Sequence, residues 1–245
     1  MFGNINFFTY LCSINFKDTM INYKIITDFN RLKEFIDWLP ELKDDECYYV
    51  MLFARDKYFK ELGKPSVKLK RFTSNKQFLL DKIKQLECEV GSYKYGDLVI
   101  PNEALCLYIM PNPRSQVKAA KNLTKLLIDK VFNEYNGYNI HQEALTMLQK
   151  TPSKIRFMDF DFDYTTIEEM SAKIAEIINK EAINYIETKN GFHLLVDIEK
   201  LDANSKKNYY NKLSKLANVD IKGDELCPCP GCCQGNFTPS LFKPE

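Results

Sequence analysis

The sequence predicts an α+β protein, and two observations carry most of that prediction. Ile155 to Asp163, IRFMDFDFD, alternates acidic with apolar side chains at the period of two that a strand needs when one face is buried. The segments after it then read helix, strand, strand, helix, strand, which completes a β-α-β-β-α-β order. Upstream, apolar runs of strand length alternate with amphipathic helical stretches, as in an α/β unit. The division expected is residues 1–150 as an N-terminal α/β unit and 151–245 as the second unit, the two forming one core.

The elements follow in order. DFNRLKEFIDWLPEL puts Leu32, Phe35, Ile36 and Leu39 at helical spacing, and Pro40 limits the helix. CYYVMLFARD is a strand candidate, NKQFLLDKIKQLE a second helix, ALCLYIMP a buried strand and QVKAAKNLTKLLIDKVFNEY a third helix. In the second unit, Thr165 or Thr166 can cap a helix with Glu168 and Glu169 in its first turn and Ile167, Met170, Ile174 and Ile177 on one face. INYIET and FHLLVDIE flank the polar turn KNG, whose glycine suits a hairpin. DANSKKNYYNKLSKLA offers Asp202 or Asn204 as a cap, and NVDI is a short last strand.

That order is the ferredoxin-like, or RNA-recognition-like, arrangement, with its first and third strands adjacent in an antiparallel sheet and helices over one face. Met158, Phe160 and Phe162 should then face the helices, and Asp159, Asp161 and Asp163 the opposite side.

Composition narrows the classes of function. The chain has 245 residues, 45% hydrophobic and 27% charged, which is a globular composition. With 34 basic against 33 acidic residues the net charge is only +1, so an anionic partner must be held by local patches. The apolar run FFTYLC lacks a basic flank and a cleavage pattern, so no signal peptide is expected, and no stretch approaches a membrane span. Met20 is an alternative start. Of eight cysteines, four are scattered and four lie in CPCPGCC, and a reduced, cytoplasmic protein is expected.

Alternate residues on one strand face lie roughly 6.5–7 Å apart. Asp159 and Asp161 could therefore serve one metal centre, and packing them together without a cation would be opposed by repulsion, which points to Mg²⁺ or Mn²⁺. A solvated acidic face is the alternative reading. His193, one of two histidines, falls on the expected neighbouring strand with Leu195 and Asp197. It could donate to a phosphate, with Thr188 and Lys189 on the adjoining turn, or simply pair with an aspartate. Asp220 on the last strand is the candidate third carboxylate, with Asp224 as competitor. Two acid-free stretches offer contacts to a template strand: Lys68, Lys70 and Arg71 in one, Arg114 in the other. Arg114 stands out because it follows a buried strand, where functional groups often sit. Cys227, Cys229, Cys232 and Cys233 are numerous enough for Zn²⁺ but are not spaced as paired C-x-x-C knuckles, and a reduced cysteine-rich turn is the competing reading.

The series RFMDFDFDYTT, TKNGFHLLV and VDIKGDELCPCPGCCQGNF resembles the three motifs of the archaeo-eukaryotic primase superfamily: an apolar strand carrying two acids, a hydroxyl residue and turn leading to a histidine, and an acid on a later strand. The resemblance covers most of the chain. It implies a palm-like second unit in which Asp159, Asp161 and Asp220 bind catalytic metals. Thr188 and His193 would hold the phosphates of a nucleoside triphosphate, joined by Lys189 and by Lys222, the nearest candidate for an expected basic residue. The implied activity is synthesis or extension of short primers on single-stranded DNA by a two-metal mechanism, with a replicative helicase as a candidate partner. Two other classes stay open: another palm-type nucleotidyltransferase or metal-dependent nuclease, and an RNA-recognition-like binding module or inactive replication subunit.

Overall fold

The computed structural model describes residues 21–132 and 139–244, with the side chains of 131 and 132 left aside. The FFTYLC run and Met20 lie outside the described residues. The protein is a mixed α+β structure whose sheets are antiparallel.

Helix α1 (Phe29–Trp38) starts where Asp28 accepts the Arg31 amide, and it buries Leu32, Phe35 and Ile36. It ends before Pro40, with Leu39 driven to extended backbone as a residue before proline should be. Strand β1 (Glu46–Arg55) is a continuous apolar run because both of its faces are covered. It is joined by β2 (Ser66–Ser74), and after α2 (Leu79–Lys84) and a small hairpin of β3 (Lys94–Tyr95) and β4 (Leu98–Val99), by β5 (Leu105–Ile109) and β6 (Arg114–Ser115). Helices α3 (Gln116–Phe132) and α4 (Ile140–Lys150) follow.

The second half forms β7 (Phe157–Asp163), α5 (Ile167–Ala175), β8 (Ile183–Thr188), β9 (Gly191–Asp197), α6 (Ala203–Leu213) and β10 (Val219–Gly223). Thr166 is the residue that caps α5, reciprocally with Glu169, and Asp202 is the one that caps α6. Ile177 lies beyond the end of α5. Among the described residues the sheet order is β10-β7-β9-β8, extended at the β8 edge by β12 (Ser240–Phe242).

The hairpin glycine plays a different part from the one expected. Gly191 does not sit at positive φ; a Cβ there would come 1.9 Å from the Phe162 carbonyl oxygen, so what the site requires is the missing side chain.

Phe160, Phe162, Phe192, Leu194 and Val196 pack under Met170 and Ile174 of α5 and Leu213 of α6. The opposite face was expected to be open, and it is not. Phe157, Ile186 and Leu195 join one core with Leu32 and Phe35 of α1, Leu52 of β1 and the cysteine segment. Leu195, which broke the polar alternation in the sequence, therefore has a packing reason. The C-terminal segment ties the halves together: β11 (Cys227–Pro228) pairs with β5, and β12 pairs with β8.

Candidate active site

Strand register sets the site. Asp220 of β10 pairs with Asp161 of β7, which pairs with His193 of β9, so the three lie in one row on one face. Asp159 lies two residues back along the same face, opposite Leu195. This row is at the edge of the packed core, where the face emerges into a cleft of about 380 Å³.

Asp159 is turned inward. Only 1% exposed, it meets His193 Nδ1 with Oδ1 at 3.0 Å and Oδ2 at 2.9 Å. His193 directs its other nitrogen at Asp161, with Nε2 3.6 Å from Oδ1. Burial opposes charge on the imidazole, but the Asp159 and Asp161 carboxylates outweigh it and raise the His193 pKa. Asp161 is also raised: burial is the main cause, opposed by His193 and reinforced by Asp163 and Asp159.

Lys222 sits at a bulge in β10, in contact with Asp220 Oδ2 and 3.7 Å from Asp161 Oδ2. Burial disfavours its charge, yet the Asp220 hydrogen bond and Asp161 raise its pKa. Asp161, Asp163, Thr188, Lys189, His193 and Lys222 all line the cleft. Asp159 lies beneath His193, and Asp220 is outside the lining, reached through Lys222, with its side chain 65% exposed.

The rest of the lining comes from β1 and the turn after it, β5 and the C-terminal segment, and was missed in the sequence. Phe53, Arg55, Lys57, Tyr108 and Gln234 share the cleft with the acids. Arg55 Nη1 donates to the Tyr108 hydroxyl at 3.1 Å, and Gln234 Nε2 lies 3.4 Å from the same oxygen. Arg55 Nε and Gln234 Oε1 are buried and make no hydrogen bond inside the protein. The Lys57 pKa is lowered, first by burial and next by Arg55, against the pull of Asp163 and Asp161. The rule that singled out Arg114, a basic residue at a strand end, also fits Arg55 and Lys57.

Arg114 does not reach the cleft. It is fully buried, holding both oxygens of Asp224 at 3.0 and 2.7 Å and the Gln149 carbonyl at 2.8 Å. That corrects its assignment as an exposed template contact, and it removes Asp224 as an alternative third acid. Lys68, Lys70 and Arg71 lie on β2, beside a separate groove.

Among the described residues, no three or more His, Cys, Asp or Glu side chains are gathered as a metal-binding group. The four cysteines are not gathered as such a group either. Cys227, Cys229, Cys232 and Cys233 are buried in the core, Cys227 Sγ lies 3.5 Å from the Ile109 carbonyl, and burial pushes the Cys227 and Cys232 thiols up. For Mg²⁺ or Mn²⁺ the requirement is lighter, since such ions take one or two carboxylates plus water and substrate phosphate. Asp161 and Asp220 fit it: adjacent oxygen donors on one face with the Lys222 ammonium between them as a stand-in cation.

Among known proteins, no family model, no curated protein and no solved structure matches this chain.

Proposed function

We propose that the protein is a primase-like nucleotidyltransferase, with its second unit an RNA-recognition-like palm, joining nucleotides from nucleoside triphosphates along a single-stranded DNA template. The observation that carries this reading is that Asp161 and His193, in one row with Asp220, share a single cleft with Arg55 and Lys57. The motif resemblance, carried by the same Asp161, His193 and Asp220, agrees with it.

In this reading Asp161 and Asp220 hold a divalent cation, which supplies charge neutralisation at the transferring phosphoryl group. Arg55, Lys57 and the turn at Thr188 and Lys189 grip the triphosphate and fix its orientation. His193, as the imidazolium, donates from Nε2 toward a phosphate oxygen, while its Nδ1–H donates to Asp159, which fixes the ring. Lys222 balances the acids before substrate arrives.

Phosphoryl transfer depends mainly on position and electrostatics, which is what fixed groups on two rigid sheets supply. The test is a primer synthesis and extension assay with Mg²⁺ or Mn²⁺, single-stranded DNA, ribo- or deoxynucleoside triphosphates, and with or without an annealed primer. Wild type should make or extend primers and Asp161→Ala should not; product from Asp161→Ala equal to wild type defeats the assignment.

A non-enzymatic nucleic-acid-binding module is the second reading, favoured by the engagement of Asp159 with His193. It predicts strand binding with no metal-dependent product from wild type in the same assay.

A further inference from the structure

A second groove, of about 540 Å³, runs between β2 and α4, away from the acidic row. Lys68, Lys70, Arg71 and His141 line it together with Leu69 and Leu145, and no carboxylate does. Arg71 is the fixed point. Its Nε donates to Gln142 Oε1 at 2.9 Å, Nη1 to Thr146 Oγ1 at 3.0 Å and Nη2 to the Gln142 carbonyl at 2.8 Å. All these partners are neutral, so the guanidinium is held in place while its charge stays uncompensated. Arg114 and Arg156, by contrast, are both neutralised by aspartates. Lys68 and Lys70 are exposed on the edge strand, and neither joins an ion pair among the described residues.

Register connects this groove to the cleft. Arg71 pairs with Met51, Lys68 with Phe53 and Ser66 with Arg55, and Phe53 and Arg55 are themselves cleft residues. Four steps of β1, from Met51 to Arg55, span about 13 Å at ~3.3 Å per residue. Cations therefore continue from Arg71 through Lys68 to Arg55. Half-buried Leu69 and the exposed His141 ring supply apolar and π surface between the charges, which suits splayed bases and is of no use to a duplex that keeps its bases stacked inside.

We infer that the β2–α4 groove binds a single nucleic-acid strand, holding its phosphates on Lys68, Lys70 and Arg71 and its bases against Leu69 and His141. That the strand leads into the Asp161 cleft as template rests on the proposed function; binding itself does not.

The test is fluorescence anisotropy of the full chain with a labelled twenty-nucleotide oligo(dT), and with a duplex of the same length, over a range of salt without metal or nucleotide. Lys68→Ala/Lys70→Ala should weaken oligo(dT) binding about tenfold and flatten the salt dependence by about 1.4 in log–log slope, as two lost phosphate contacts require. Lys206→Ala/Lys207→Ala removes the same charge from α6, on the far side of the second sheet, and should bind as wild type. Equal losses in both pairs, an unchanged Lys68→Ala/Lys70→Ala protein, no wild-type binding, or equal affinity for the duplex would each overturn the inference. Groove-dependent binding without primer synthesis would defeat the enzymatic reading alone; synthesis by wild type with groove-independent binding would defeat this inference alone.

Discussion

His193 Nδ1 lies 2.9 Å from Asp159 Oδ2 in a buried pair whose imidazole presents its other nitrogen to Asp161. The carboxylates hold the folded-state pKa of His193 above its ordinary value of 6.5 despite burial. A raised pKa means the folded protein binds the proton more tightly than the unfolded chain. Its stabilisation is complete below pH 6.5 and is lost as the pH rises through the raised folded value. His193→Gln should therefore cost stability, about 3 kcal/mol where the imidazole is charged, since it strands a buried carboxylate. Urea unfolding across pH would show the gap between variant and wild type shrinking as pH increases; a constant gap would count against a charged pair.

Asp161 is shifted in the same direction, but in its case the charged form is the one the fold disfavours. Burial, with Asp163 and Asp159 beside it, raises its pKa, so its contribution is favourable only below the ordinary carboxylate range and is lost as pH rises through the folded value. At neutral pH the ionised carboxylate thus weakens the structure. Asp161→Asn should raise Tm by roughly 2–4 °C, the shift expected for ~1 kcal/mol in a chain of this size. Millimolar Mg²⁺ or Mn²⁺ should stabilise wild type and leave the variant nearly unchanged. Differential scanning calorimetry with and without the ion checks both, and a lower Tm for the variant would contradict the electrostatic account.

Much of this was legible because local rules and tertiary structure agree. Thr166 and Asp202, each one of two cap candidates in the sequence, are the residues that cap α5 and α6, and the alternation of IRFMDFDFD together with element order anticipated the neighbours of Asp161. What escaped depends on partners far away in sequence. Leu195 looked like a defect in the strand pattern because the covering α1 and cysteine segment lie elsewhere in the chain. Arg114 read as a surface cation because nothing local reveals Asp224, which closes on it from 110 residues away. Arg55 and Lys57 went unremarked because their relation to Asp161 exists only once the two sheets meet.

The cationic wall gives a kinetic prediction. Lys57 carries a pKa lowered by burial and by Arg55, so its charge is uncomfortable until an anion enters beside it. Lys57→Met should raise KM for the nucleoside triphosphate by about 10- to 100-fold, the equivalent of one charge-assisted hydrogen bond worth roughly 1.5–3 kcal/mol. Primer-strand affinity, measured without nucleotide, should stay unchanged. An effect on strand binding with KM intact would move Lys57 from the triphosphate to the template.

Arg114 supplies a control on the fold itself. Its guanidinium is fully buried and spans Asp224 and the Gln149 carbonyl, joining the loop after β10 to the end of α4. Arg114→Met removes the cation and leaves Asp224, only 14% exposed at its side chain, without its charge partner. Loss of one member of such a pair costs about 3–5 kcal/mol, whereas replacing both with apolar residues of similar volume can be close to neutral. Arg114→Met should therefore lower the urea midpoint sharply, and adding Asp224→Leu should recover a large part of the loss. If Arg114→Met instead kept wild-type stability and selectively weakened oligo(dT) binding, the buried pair would be the wrong description and Arg114 would belong with the strand-binding cations after all.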